Sequence, residues 1–192
     1  MGGAARAARK AGAVLAAFVL IALAGEARAQ CADPLALPVE YGALSFTQTR
    51  HLSGVRAPLI SRGQALIAPD RVEWNVAQPL NIRTTITASG ITQSVENGPA
   101  QRVGPQGDAF LSSAGLFNLL AGDFTALSRH YEVTPNRAGA NGAWTVRLTP
   151  KAEAFAQMVS YIEVGGCERV SGVEIRQANG DRMEIALSPV GG

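Results

Sequence analysis

The sequence has few of the residues that usually carry catalysis or hold a metal ion. It contains two histidines, His51 and His130, and two cysteines, Cys31 and Cys167, with no spacing that groups them as ligands of one metal. A nucleophile elbow, a glycine-rich phosphate loop and a motif of paired carboxylates are all missing from it. Both histidines are interpreted as surface or helix-end residues. We therefore expect no catalytic residue, no metal and no cofactor.

Positive charge is also scarce once the first residues are set aside. The chain has 17 Lys and Arg residues against 15 Asp and Glu residues, but residues 1–29 hold four of the former and one of the latter. The remaining 13 basic and 14 acidic residues give a net charge of −1, and Lys151 is the only lysine among them. The basic pI therefore gives no reason to expect a nucleic-acid partner.

Residues 1–29 have the pattern of a secretory signal peptide. A basic start is followed by an apolar run over residues 11–25 and by the triplet Ala27-Arg28-Ala29, so cleavage is predicted before Gln30. The run is shorter than the roughly 20 residues of a membrane-spanning helix, although an uncleaved anchor is the alternative. Residues 30–192 are then predicted to be a single domain, soluble in the periplasm and large enough to bury about 70% of its extended surface.

Cys31 follows directly after the predicted cleavage site and could be either a lipid anchor or half of a disulfide. Bacterial lipidation needs small apolar residues before the cysteine, whereas Arg28 and Gln30 precede it here. An exported chain meets an oxidising compartment, so we predict a disulfide between Cys31 and Cys167. Closing so long a loop stabilises the fold by about 5 kcal/mol in the chain-entropy model. Two unpaired buried thiols are the alternative.

From residue 42 onward, apolar and polar residues alternate with a period of two. Val72, Trp74 and Val76 lie on one side of such a run, with polar residues between them. Turn sequences such as Ser89-Gly90 and Asn179-Gly180-Asp181 separate the runs, which is typical of antiparallel sheet. The pattern predicts a mainly β fold in which about nine to eleven short strands form one large, curved antiparallel sheet. Four further runs share the alternation: NIRTTITAS (81–89), AWTVRLTP (143–150), SGVEIRQ (171–177) and DRMEIALS (181–188).

The segment 107–124 has helical spacing instead. We predict a helix that Asp108 caps at its start and Gly122 ends, after which Asp123 caps a further turn or two. Another short helix is predicted to begin at Thr149-Pro150 and to run through KAEAFAQMV. Because the first helix is apolar nearly all round, it is expected to cover the apolar face of the sheet.

Several of these runs, taken in order, resemble a known family. Phe46, Gln48 and Arg50 in LSFTQTRHL, the run from Gly63 to Pro69, and the run from Trp144 to Pro150 carry the resemblance through their order and spacing. LLAGDF and GVEIRQANGDRMEIAL complete it. Together, roughly residues 42 to 188 are similar to the outer-membrane lipoprotein carrier family, the LolA-like proteins of Gram-negative bacteria.

The resemblance implies an incomplete β-barrel with a helical lid, whose hydrophobic cavity accepts the acyl chains of a lipoprotein. It also implies an inner-membrane exporter and an outer-membrane receptor as partners, and we expect a monomer. The chain departs from the best-known members at Ala68, where they carry an arginine that latches the lid, and in a shortened or absent N-terminal helix; Arg71 is the nearest substitute. These departures suggest a divergent branch that serves a different lipid or a pigment-like lipid conjugate.

Apolar residues at inward positions of the strands and of the predicted lid are the candidate lining of this cavity. In most proteins such residues form an ordinary core, and the apolar helix is what favours a pocket here. The candidates are Phe46, Leu66, Val72, Trp74, Val76, Ile82, Ile86, Phe110, Leu111, Leu116, Phe117, Leu120, Trp144, Val146, Leu148, Met183 and Ile185.

The function predicted from these observations is a periplasmic carrier that shields the acyl chains of a lipoprotein or other lipid for transfer towards the outer membrane. The main alternative is a non-enzymatic envelope assembly module with an ordinary packed core, which would engage a partner through its sheet edge. An enzyme acting on lipids or sugars is a remote third hypothesis.

Overall fold

The computed structural model describes residues 31–87, 89–103, 115–137 and 142–190. Eleven strands lie in this part of the chain, and the prediction of a mainly β fold is confirmed. Their bounds are β1 (Gly42–His51), β2 (Leu59–Ala68), β3 (Arg71–Gln78), β4 (Ile82–Thr87), β5 (Gly90–Val95), β6 (Gln101–Arg102), β7 (Tyr131–Arg137), β8 (Trp144–Pro150), β9 (Val159–Gly166), β10 (Val170–Gln177) and β11 (Arg182–Pro189).

All eleven strands belong to one antiparallel sheet in the order β6-β5-β4-β3-β2-β1-β11-β10-β9-β8-β7. Two meanders, β1 to β6 and β7 to β11, are joined where β1 pairs with β11, from Leu44 opposite Pro189 to His51 opposite Arg182. Because the order starts at β6 and ends at β7, the sheet is open, in agreement with the predicted incomplete barrel.

The period-two alternation gives the sheet one apolar and one polar face. Phe46 of β1, Ala65 of β2 and Val72 of β3 are buried on the inner face, against which the helices pack. On the outer face, ion pairs connect Arg147 with Glu163 at 3.0 Å and Arg182 with Glu184 at 2.8 Å. The outer face thus carries solvated charges, whereas the apolar residues are collected on the inner face.

In the described ranges, three short helices and one 3-10 helix cover part of the inner face. They are the 3-10 helix Pro34–Ala36, α1 (Leu116–Leu120), α2 (Phe124–Leu127) and α3 (Glu153–Ala156). As predicted, the chain turns at Gly122 with a φ of +74°, and the Asp123 carboxylate accepts a hydrogen bond from the Ala126 amide at 2.8 Å. The first part of the predicted lid helix, residues 107–114 with Asp108, Phe110 and Leu111, lies outside the described residues.

The prediction of a helix beginning at Thr149-Pro150 is wrong. β8 continues through Pro150, which lies opposite Tyr131, and α3 covers only Glu153–Ala156. Proline is tolerated here because pairing with β9 ends at Leu148, and the Lys151 amide that follows donates to the His130 carbonyl at 3.0 Å. Val159 then begins β9 instead of ending a helix.

The half of the sheet formed by β7 to β11 has a densely packed core. Leu127, Val146, Leu148, Val159 and Val164 have no exposed surface. Two aromatic pairs are part of this core. Phe124 packs edge to face on Trp144, and Tyr131 packs in the same way on Phe155, each pair with ring centroids 6.0 Å apart. This half is filled by the side chains of the protein itself.

Residues 31–41, which we call the N-terminal strap, tie the helices to the sheet. The predicted disulfide between Cys31 and Cys167 is confirmed, and the Ala32 amide donates to the Cys167 carbonyl at 3.2 Å. At its other end, the Glu40 amide donates to the Ala121 carbonyl at 3.1 Å. Cys31 is therefore a covalent attachment of the strap and has no thiol left for a lipid.

Candidate functional site

The inner face of β3 and β4 differs from the packed half because four of its apolar side chains are only half-buried, although Val72 is fully buried. Trp74, Val76, Ile82 and Ile86 all keep partial exposure. The register pairs Val76 with Ile82 and Val72 with Ile86, so that these side chains form a continuous surface. We call Phe46 together with the inner-face residues of β3 and β4 the open apolar face.

An aromatic pair forms the centre of the open apolar face. The rings of Phe46 and Trp74 are stacked with centroids 3.9 Å apart. Gly63 lies opposite Phe46, and Ala65 lies opposite Trp74. A Cβ atom at Gly63 would be 2.9 Å from Cζ of Phe46 and 1.9 Å from the carbonyl oxygen of Asn75. The two rings fit here because Gly63 and Ala65 of β2 have no larger side chain that would occupy the same space.

One polar group is buried within this apolar surface. Thr84 lies opposite Trp74 and is 8% exposed, and its hydroxyl accepts a hydrogen bond from Nε2 of Gln93 at 3.1 Å. Without the hydrogen bond from Gln93, the buried Thr84 hydroxyl would lower the stability of the fold. Thr84 is not among the predicted lining residues, although its place between Ile82 and Ile86 in the alternation already puts it on the inner face.

A cleft of about 310 Å³ opens at one end of the inner face, between the N-terminal strap and the end of α1. Leu44, Ile67 and Leu120 contribute apolar walls. At its rim, Nε of Arg169 is 3.5 Å from Oε2 of Glu40. Leu44 and Ile67 have the same strand parity as Phe46 and Val72, so the cleft lies on the same side of the sheet as the open apolar face.

The predicted lining residues divide between the two halves of the sheet. Val72, Trp74, Val76, Ile82 and Ile86 come together with Phe46 on the open apolar face, and Met183 and Ile185 lie on β11, at the junction of the two halves. Leu120, Trp144, Val146 and Leu148 are buried in the packed half. Leu116 and Phe117 belong to α1, whereas Phe110 and Leu111 lie outside the described residues.

The placement of Leu66 on the inner face is wrong. Leu66 pairs with Ala43 and Glu73, on the face opposite to Ala65 and Ile67. The run Ala65–Ala68 is apolar at every position, so alternation gives no sign of which residues point inward. The inner-face residues of this strand are its neighbours Ala65 and Ile67.

Arg71 does not take the place of the arginine that the family carries at the position of Ala68. Its guanidinium Nε bonds Oε1 of Glu73 at 2.8 Å, and Nη1 bonds Oδ1 of Asp70 at 3.2 Å. These two carboxylates, Glu73 foremost, raise the pKa of Arg71 above its ordinary value. Because it shares strand parity with Glu73, Arg71 lies on the outer face and away from the helices.

Within the described ranges, no three side chains of His, Cys, Asp and Glu lie close enough to hold a metal ion. His51 lies on the outer face, where its Nε2 is 3.7 Å from Oε2 of Glu184. Among the helices of the same ranges, none has the length and apolar character needed to cross a membrane.

A family model and several solved structures are similar to this chain. No relative was found among curated proteins. A LolA superfamily protein from Nitrosomonas europaea has a similar structure, with a TM-score of 0.44 and 10% identity, over 84% of this chain and 88% of that one. An outer membrane lipoprotein-sorting protein domain from Vibrio parahaemolyticus matches with a TM-score of 0.42 and 10% identity, over 79% of this chain and 85% of that one. The family model for the outer membrane lipoprotein carrier protein LolA-like matches residues 45–190, so the chain belongs to the LolA-like family.

Proposed function

We propose that this protein is a periplasmic carrier that shields the acyl chains of a lipoprotein or another lipid on its open apolar face. The observation that supports this most strongly is the asymmetry of the sheet. Inner-face residues of β7 to β10 such as Val146 and Val164 have no exposed surface, whereas Trp74, Val76 and Ile86 stay half-buried. A surface of this kind suits a guest that is itself apolar.

The energetics of acyl-chain burial suit a carrier that works without a chemical energy source at release. Each methylene removed from water contributes about 0.8 kcal/mol, so that a 16-carbon chain gains roughly 12 kcal/mol. A bilayer offers the same gain, and the net difference between carrier and membrane is therefore small. Cargo can leave the open apolar face for a membrane or a receptor because neither state is strongly preferred.

The proposal includes export. We infer that residues 1–29 are removed and that the mature chain begins at Gln30, which places the protein in the periplasm. Pairing of Cys31 with Cys167 supports an oxidising compartment, where disulfides form and persist. Amino-terminal sequencing of the protein from a periplasmic fraction tests this point, and a chain that retains Met1 would contradict it.

The binding proposal is tested with delipidated protein and a polarity-sensitive fluorescent dye. We expect saturable dye binding that palmitate displaces. Ile86→Asp, on the open apolar face, should weaken the binding by at least tenfold because the charge must be desolvated against Trp74 and Val72. Thr85→Asp is the matched control, since Thr85 lies next in sequence but on the outer face.

Circular dichroism establishes that both variants are folded before binding is compared. Absence of displaceable binding in the wild-type protein would contradict the proposed carrier. Equal weakening by both variants would show that the dye does not report on the open apolar face.

A further inference from the structure

Arg50 is the one charged residue at an inner-face position of the sheet, among the side chains that the structure describes. It has the strand parity of Phe46 and Gln48, and it lies between Leu59 of β2 and Met183 of β11. The other strand arginines with described side chains have outer-face register; they are Arg62, Arg71, Arg83, Arg102, Arg147, Arg176 and Arg182.

Unlike several of these outer-face arginines, Arg50 has no carboxylate beside it in the described part of the chain. Arg147, Arg176 and Arg182 each contact a glutamate at 3.0 Å or less. The cross-strand neighbours of Arg50 are the apolar Leu59 and Met183, and its side chain is half-buried. A guanidinium withdrawn from water without an anion lowers stability, so a position of this kind favours an anionic partner.

Neutral polar residues accompany Arg50 at this end of the inner face. Gln48 precedes it by two residues on the same side of β1, and Ser61 of β2 lies opposite Gln48. Further along β1 the inner-face residues become apolar, first Phe46 and then Leu44 at the cleft. At about 3.3 Å per residue, Arg50 and Leu44 are roughly 20 Å apart, comparable to a long extended acyl chain.

We propose that Arg50 binds the anionic head of an amphiphile whose alkyl chain runs along β1 and the open apolar face towards the cleft. A carboxylate or a phosphate monoester fits equally, since both offer two oxygens to the fork of the guanidinium. Gln48 and Ser61 provide neutral hydrogen-bonding groups beside that head. The inference rests on the proposed function, because it requires that the open apolar face binds alkyl chains.

The test compares three ligands of equal chain length: palmitic acid, hexadecyl phosphate and hexadecanol. We expect wild-type protein to bind each of the two anions about ten- to a hundredfold more tightly than the alcohol. This is the gain in affinity expected from hydrogen bonds between the charged guanidinium and an anionic head. Arg50→Gln should remove this preference and leave the hexadecanol affinity unchanged. Arg50→Lys should retain part of it. Arg62→Gln, on the outer face of the adjacent strand, should have no effect.

A preference for only one anion in the wild-type protein would identify the head group as a carboxylate or as a phosphate, and would support the inference for that group. Equal affinity for acids and alcohol in wild-type protein, or equal effects of Arg50→Gln and Arg62→Gln, would overturn the inference while leaving the proposed carrier intact. Binding of none of the three ligands would overturn both.

A purely structural role for Arg50 is distinguished by stability. Removal of an unpaired guanidinium from an apolar face should keep or raise the melting temperature of Arg50→Gln, whereas loss of a structural contact would lower it. A lower melting temperature with equal losses for all three ligands would overturn the inference.

Discussion

At the scale of single residues, Gly63 determines whether the aromatic pair of the open apolar face can form. Its φ is not in the left-handed region, so the requirement for glycine is one of space. A Cβ atom there would be 1.9 Å from the Asn75 carbonyl oxygen, which is backbone and cannot move without displacing β3. The neighbouring Phe46 ring would have to shift as well.

Gly63→Ala is therefore expected to destabilise the protein by about 1–3 kcal/mol, the range found for overpacked sites. Gly172→Ala is the control, because a Cβ atom at Gly172 in β10 would have its nearest neighbour at 3.8 Å. Urea denaturation followed by circular dichroism measures both. Equal unfolding midpoints for the two variants would contradict this account of Gly63.

Tyr131 should make stability depend on pH in the alkaline range. Burial of its side chain raises the pKa of Tyr131 well above the ordinary value of about 10. Above pH 10 the unfolded chain loses the phenolic proton while the folded chain keeps it, so the unfolded state binds fewer protons and the free energy of unfolding falls. The stabilisation is complete below pH 10 and is lost as pH rises.

We expect this residue to lower the free energy of unfolding by about 1 kcal/mol between pH 10 and 11, with a slope that approaches about 1.4 kcal/mol per pH unit above pH 11. Tyr131→Phe should remove that part of the slope, because the ring stays packed on Phe155 and nothing titrates. Urea denaturation at several pH values measures it. Identical slopes for the wild type and Tyr131→Phe would show that burial does not hold the proton.

At the scale of elements, the N-terminal strap is held by bonds at both ends. The disulfide joins Cys31 to Cys167, and Nε1 of Trp144 donates to the Cys167 carbonyl at 2.7 Å. The cleft lies between this strap and the end of α1, with Leu37 and Gly122 among its walls. Loss of the disulfide would free one end of the strap and affect the packing around Trp144.

Reduction with a dithiol is expected to lower the free energy of unfolding by about 2–5 kcal/mol, since the disulfide spans 136 residues of sequence. The Cys31→Ser, Cys167→Ser double variant should have the stability of the reduced protein and should not respond to the reductant. Thermal melting with and without the dithiol measures this. A melting temperature that the reductant leaves unchanged would contradict the role of the strap.

The elements that sequence reasoning predicted well are those with one packed and one solvated face. β3, β8, β10 and β11 alternate clearly because their inner residues contact the core while their outer residues carry charge. At the start of β9 the sequence instead predicts the end of a helix, because the alanines and Glu153 before it favour helix. Only tertiary pairing with β8 and β10 imposes the strand.

The candidate site was predictable only in part for a related reason. Strand parity places Phe46, Gln48 and Arg50 on one face, and this could be read from the sequence once β1 was assigned. Whether an inward residue lines an open surface or fills a core depends on what covers it. Trp74 and Trp144 have the same pattern of neighbours in sequence, yet Trp144 is 1% exposed and Trp74 remains half-buried.

At the scale of the whole molecule, one continuous sheet combines a stable half with an adaptable half. The β7 to β11 half is held by α2, α3 and the disulfide, so it can provide most of the stability. The β3 and β4 region contributes less buried surface, which suits the exchange of a guest in the proposed function. A carrier needs both properties at once, because its fold must persist when the guest is absent.

The two tryptophans test this division directly. Trp144→Ala should lower the free energy of unfolding by about 3–5 kcal/mol, as expected for a fully buried large side chain. Trp74→Ala should cost less than half as much, because its ring stays partly exposed and its main contact is the Phe46 ring at 3.9 Å. Dye binding should change in the opposite sense, falling in Trp74→Ala and persisting in Trp144→Ala under conditions where that variant is folded. If both substitutions lowered stability equally and neither changed binding, the sheet would be a single packed core, and the division into two halves would be wrong.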